Sequence, residues 1–170
     1  MGATGFGSQT EGDIAFDPTT GTLYGVDGFT GDLFTIDTKT GTGNIFAKIP
    51  HQCDPYNMDL SAMAFDSAGN LFVVDTMNAC LLKVKVSANN ATVLSTVKLN
   101  SANMGGVAGL AFDPVTGTAY FVSGDGGPNK LFTLDTSTGA IKVVGALNTT
   151  TFAADGLYGL TFTMGSCPDR

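Results

Sequence analysis

Carboxylates are the side chains of this 170-residue sequence best able to do chemistry: fifteen acidic residues stand against eight basic ones, for a net charge of −7. The acids include Glu11, Asp13, Asp27, Asp54, Asp59, Asp75, Asp125 and Asp155, and Asn78 adds a neutral oxygen donor. Oxygen-rich sets of this kind suit a hard cation, because Ca²⁺ takes about six to eight oxygen ligands. A carboxylate pair can also work as acid and base where neighbours separate the two pKa values. The competing use is structural, since Asp and Asn favour turns by bonding nearby backbone amides. His51 is the single histidine; it could serve as a general base, although a lone histidine opening a loop is more often solvated. Cys53, Cys80 and Cys167 show no CxxC or zinc-like spacing. They leave two arrangements open, one disulfide with a leftover thiol or three reduced thiols.

Several chemistries are excluded or unsupported. The only arginine is Arg170, so an arginine clamp on carboxylate or phosphate is missing. Nucleic-acid binding needs clustered Lys and Arg to displace counterions, and this acidic chain would be repelled. No GxSxG, HExxH or phosphate-cradling loop occurs; the GDGGP run at 124–128 joins two strands and reads as a turn. No apolar stretch approaches the roughly 18 residues of a membrane helix. The residues after Met1 lack the basic start and apolar run of a signal peptide, so secretion would require a leader absent from this sequence.

The elements that must position these residues are repeated. Phe16, Phe65, Phe112 and Phe162 end matching segments (GDIAF, SAMAF, AGLAF, YGLTF) at spacings of 49, 47 and 50 residues. A second landmark, opening at Leu33, Leu81 and Leu131, keeps the same step, at 48 and 50 residues. Each unit reads as four short strands. A small apolar strand ends in aspartate, then DPTTG, DSAGN or DPVTG turns the chain, with Pro presetting φ and Gly accepting a positive one. The second strand is β-branched and aromatic. The third ends in another turn, and the fourth alternates as an outer strand with one wet side would. Strands are expected near 13–16, 22–26, 32–36 and 44–49, with matching offsets later. The in-step aromatics read as packing, and Phe16, Phe65 and Phe112 as equivalent core positions. A β-sandwich would also satisfy strands and turns, but nothing in it requires this period.

Four antiparallel strands in about 45 residues is the period of a propeller blade. The apolar–Asp–turn–Gly core with its following DTxTG resembles the YVTN, NHL and related six- or seven-bladed propeller repeats, over about residues 11 to 163. The fold expected is all-β: a partial β-propeller of three four-stranded antiparallel blades (about 11–50, 60–99 and 107–147) plus one extra strand at 157–163.

In such propellers ligands usually meet the face bearing the loops between blades and between second and third strands. Carried over position by position, that implies a face collecting Glu11, Asp13, Asp27, Asp54, Asp59, Asp75, Asn78, Asp125 and Asp155. Sugar-stacking aromatics on it are limited to Phe29, Tyr56 and Phe152. The same wiring brings Cys53 and Cys80 to one face, where a bridge between them would tie down the HQCDPYNMD insert and leave Cys167 free; two buried thiols are the other reading. Asn90-Ala-Thr and Asn148-Thr-Thr match the glycosylation sequon.

Three blades and a strand do not close comfortably, because each open side leaves apolar surface wet. The expectation is therefore completion by dimerisation, two chains supplying six blades, or by the remainder of a longer propeller. For function, the expectation is an extracellular or cell-surface module that binds a macromolecule or small ligand through its loop-bearing face without catalysis and without a cofactor. A Ca-assisted hydrolase or lactonase using those carboxylates, and a structural fragment assembling into a composite ring, are the alternatives.

Overall fold

A computed structural model describes residues 12–100, 107–123, 130–147 and 159–162. These form twelve strands, and among the described residues there is no helix. The first blade comprises β1 (Gly12–Phe16), β2 (Leu23–Asp27), β3 (Asp32–Ile36) and β4 (Gly43–Lys48). The second comprises β5 (Leu60–Phe65), β6 (Asn70–Asp75), β7 (Cys80–Ser87) and β8 (Asn90–Lys98). The third comprises β9 (Val107–Phe112), β10 (Ala119–Ser123), β11 (Lys130–Leu134) and β12 (Ile141–Ala146). Each sheet is an antiparallel meander in chain order, and the inner strand β5 lies between β1 and β9. The first blade's strands fall within a residue of their expected positions.

One turn chemistry, used repeatedly, sets this layout. Asp17, Asp37, Asp113 and Asp135 each accept the backbone N–H of the residue two positions on. Four positions on, a glycine N–H donates to the aspartate's own carbonyl, at 2.7–2.8 Å. Those glycines, Gly21, Gly41, Gly117 and Gly139, have φ of 69–75°, a left-handed conformation that a side chain resists. The short aspartate therefore fixes where each strand stops, and the glycine reverses the chain into the next.

Packing follows from the period-two alternation of strands. In the second blade, Met63, Phe65, Leu71, Val73, Leu82 and Val84 point toward the first blade, into a cluster with Val26, Leu33 and Ile49. Ala62, Ala64, Phe72, Val74 and Leu81 point the other way, joining Leu110, Phe121, Phe132 and Leu134 of the third blade. Both faces of this middle sheet are thus buried and both are apolar. Inside the third blade, Phe121 and Phe132 pair across strands and stack at 4.7 Å.

The seams between blades carry a repeated aromatic pair. Phe65 lies 5.4 Å from Tyr24 of the preceding blade, Phe112 5.0 Å from Phe72, and Phe162 5.4 Å from Tyr120. Tyr24, Phe72 and Tyr120 occupy the same place on the second strand of their blades. Phe16 departs from the expected core role: it is 57% exposed, against 7% for Phe65. The reason is positional, since the described residues place no blade before β1 and no ring beside Phe16. Of the segment 157–163 expected as an extra strand, residues 159–162 are described. Residues 159–162 run against β9, so closely that a Cβ at Gly109 would meet Gly159 Cα at 2.8 Å, but they form no strand ladder.

Candidate functional site

Three segments meet where the first and second blades present their β2–β3-type turns. The first is the turn Asp27–Gly31. Asp27 Oδ1 accepts the N–H groups of Phe29 (3.0 Å) and Thr30 (2.9 Å), and Gly31, with φ of 73°, donates its N–H to the Asp27 carbonyl. The second is the insert 50–59. Its ends are pinned to that turn, Ile49 N–H donating to the Gly31 carbonyl (2.8 Å) and Leu60 N–H to the Gly28 carbonyl (3.0 Å). Met58 of the insert is buried beneath Gly31. The third is the turn Asp75–Ala79 of the second blade.

The insert and this third segment are bonded at several points. Thr76 Oγ1 donates to Asp59 Oδ2 (2.7 Å), and Asp59 N–H donates to Asp75 Oδ1 (3.3 Å). Asn78 Nδ2 donates to Asp75 Oδ2 (2.8 Å) and to the Asn57 carbonyl (2.9 Å). Lys98 Nζ donates to the Asn78 carbonyl (3.0 Å). A disulfide between Cys53 and Cys80, with S–S at 2.03 Å, fastens the insert to the start of β7. Bonds to backbone and a covalent link together leave the insert little conformational freedom.

Asp27, Asp54 and Asp75 in this frame serve the backbone, whereas Asp59 accepts the Thr76 hydroxyl. Asp54 Oδ1 accepts the Tyr56 and Asn57 N–H groups at 2.8 and 2.9 Å, and these bonds to the charged form hold its carboxyl below the usual range. Among the described residues, no three His, Cys, Asp or Glu side chains are grouped to hold a metal. The structure brings Asp27, Asp54, Asp59, Asp75 and Asn78 to this junction. Asp13 lies elsewhere: its Oδ2 accepts the backbone N–H of Met63 at 2.8 Å across the seam between β1 and β5, and burial pushes its carboxyl up. Glu11, Asp125, Asp155, Phe152 and Cys167 lie outside the described residues. Among those described, His51 Nδ1 and Asp59 Oδ1 are shielded side-chain atoms that no hydrogen bond reaches.

What the frame displays is apolar. Phe29 is 48% exposed, Tyr56 85% and Met77 59%, one from each segment. Rigid turns carrying exposed rings can offer stacking and van der Waals contact at low entropic cost. Met77 was missed in the sequence, as was Ala79, whose φ of 47° is the one positive value at a described residue other than glycine. Aligning DGFTG (27–31) with DTMNA (75–79) shows both, since Ala79 stands where the first blade has Gly31.

Consecutive four-stranded meanders, stacked through their faces with their first strands innermost, define a β-propeller, here three blades of one. Solved structures agree on the fold. Hydrazine synthase of Kuenenia stuttgartiensis is similar at 16% identity and a TM-score of 0.55, over 94% of this chain and 41% of that one. A nidogen/laminin complex is similar at 15% identity and 0.52, over 88% and 51%. Virginiamycin B lyase from Staphylococcus aureus is similar at 14% identity and 0.55, over 88% and 44%. The chain spans about half or less of the length of each. The chain belongs to the family described as Repeat of unknown function (DUF6923), whose model matches residues 7–167. No curated protein matches it. No helix among the described residues is long and apolar enough to cross a membrane.

Proposed function

We propose that the chain is a non-catalytic propeller module, with repeats of the YVTN and NHL kind, that binds a ligand through the junction of its first two blades. The observation that carries this is the display of Phe29, Tyr56 and Met77 on three segments locked to one another by hydrogen bonds and a disulfide. Large exposed apolar side chains on a rigid frame are the usual anchors of recognition. The surrounding carboxylates favour a neutral or cationic ligand, whether a sugar chain, a basic peptide or a small molecule. The bonding of Asp27, Asp54 and Asp75 to backbone N–H groups supports binding over acid–base hydrolysis. A disulfide supports an extracellular or cell-surface setting, where thiols stay oxidised, and Asn90 of the first sequon is exposed.

The test is a binding screen against arrays of glycans and of basic peptides, followed by titration of the hits. The double variant Phe29→Ala/Tyr56→Ala is expected to weaken binding by about tenfold or more with the fold intact by circular dichroism. Equal binding by the variant and the parent chain would refute the assignment.

A further inference from the structure

The hairpin of β7 and β8 departs from its counterparts in the other two blades. There the turn between third and fourth strands is an aspartate-closed DTKTG (37–41) or DTSTG (135–139). In the second blade no aspartate stands at that place and the strands run on. β7 has eight residues and β8 nine, against five and six in the first and third blades. Ser87 then pairs with Asn90 across the two-residue turn Ala88-Asn89, and residues 87–90 are all exposed.

Asn90-Ala91-Thr92 opens β8 at this tip. Alternation along a strand sets the two polar residues on one side and Ala91 on the other. Burial follows that pattern, with Asn90 and Thr92 exposed and Ala91 buried. The Asn90 amide Nδ2 donates to Thr92 Oγ1 at 3.3 Å, so the carboxamide and the hydroxyl of the sequon reach solvent as a pair. The tip lies at the end of β7 remote from the Asp75–Ala79 turn. At the usual rise of a strand, about 23 Å separates the two ends. A bulky group on Asn90 therefore stays clear of the ligand junction.

We propose that Asn90 is a modification site that takes an N-linked oligosaccharide on its side-chain nitrogen. The donor is an oligosaccharide carried on a polyprenyl diphosphate. A bond forms between Nδ2 and the anomeric carbon of the first sugar, while the bond from that carbon to the diphosphate oxygen breaks. The proton lost by the nitrogen passes to a base of the transferase, and the polyprenyl diphosphate leaves. The assignment rests on the extracellular setting proposed above, because this transfer takes place on the secretory route.

The test is secretion of the full chain from a cultured eukaryotic cell behind an added leader, followed by mapping of the tryptic peptide 86–98. An oligosaccharide on Asn90 is expected in most molecules, and its removal by a glycan-cleaving amidase is expected to leave aspartate at position 90. Thr92→Ser is expected to keep the glycan and Thr92→Ala to lose it, although neither touches Asn90. A secreted parent chain with Asn90 bare would overturn the proposal, as would Thr92 variants that both keep the glycan or both lose it. The Cys53–Cys80 bridge, read in the same digest, separates the two readings. A bridge with Asn90 bare sinks the site alone, whereas free thiols with Asn90 bare sink the extracellular setting as well.

Discussion

The ring of Phe65 sits 5.4 Å from the ring of Tyr24, tilted by 43°, and the contact spans the seam between the first two blades. Phe65→Ala removes this pair and opens a cavity in a closed core, at an expected cost of about 3–5 kcal/mol. Phe16→Ala, at the matching position of the first blade where the ring is 57% exposed, is expected to cost under about 1 kcal/mol. Urea unfolding at submicromolar concentration compares the two. Equal losses would mean that Phe16 is covered.

Gly31 and Ala79 take the same left-handed conformation in equivalent turns. A Cβ at Gly31 would lie 2.5 Å from the Ile49 carbonyl oxygen and 2.8 Å from Met58 Cε. Gly31→Ala is therefore expected to destabilise by more than about 1 kcal/mol. Ala79→Gly relieves the conformation but loosens the unfolded chain, so it is expected to stay within about 0.5 kcal/mol of the parent. Thermal melts of both variants check the asymmetry.

Acid should loosen the turns in a defined window. The Ser137 hydroxyl, followed by the backbone N–H groups of Ser137 and Thr138, holds Asp135 at about 2 against the usual 3.8. Asp37 and Asp113 are also lowered, Asp37 by the N–H groups of Thr40 and Lys39 and Asp113 by the Thr116 hydroxyl and Val115 N–H. A depressed folded-state pKa adds stability above the ordinary value that is lost as pH falls through the folded one. Stability is expected to decline from about pH 4 to about pH 2. Carboxyl titration by NMR should place Asp135 at about 2, and Ser137→Ala should raise its pKa toward 3.8. An unchanged Asp135 in that variant would refute the cause.

The Cys53–Cys80 bridge closes a separation of 27 residues. Loop-closure entropy then puts its contribution near 3.5 kcal/mol. Replacing both cysteines by alanine is expected to lower stability by about that amount, and peptide mapping without reductant should recover the 53–80 link. Recovery of a Cys167 link would contradict the pairing.

Calcium added after chelation is expected to leave the melting temperature unchanged, because Asp27, Asp54 and Asp75 at the blade junction already accept backbone N–H groups. A clear rise, with calcium retained through dialysis, would mean that a cation site exists.

The strands were legible because Asp and Gly punctuate them locally: one residue's carboxylate and another's left-handed φ decide a turn without help from elsewhere. Phe16 was misread because the same side chain is core or surface according to whether a blade precedes it, and no local pattern carries that. The carboxylates were found but their partners were not. Whether Asp54 faces an ion or its own backbone depends on bonds across two or three residues, whereas Asp13 reaches the N–H of Met63, 50 positions away. Met77 went unnoticed since exposure of an apolar residue is a tertiary property, visible only once the turn that lifts it is in place.

The middle sheet, apolar and buried on both faces, has a bearing on how the molecule moves. Among the described residues the first and third blades each pack against one of its faces, and each blade is a local meander. Opening should then begin at either end of the row and advance inward, with amide protons on β6 the last to trade with solvent and those on β1 and β12 among the first. The second blade would serve as the keel on which the others form and from which they peel.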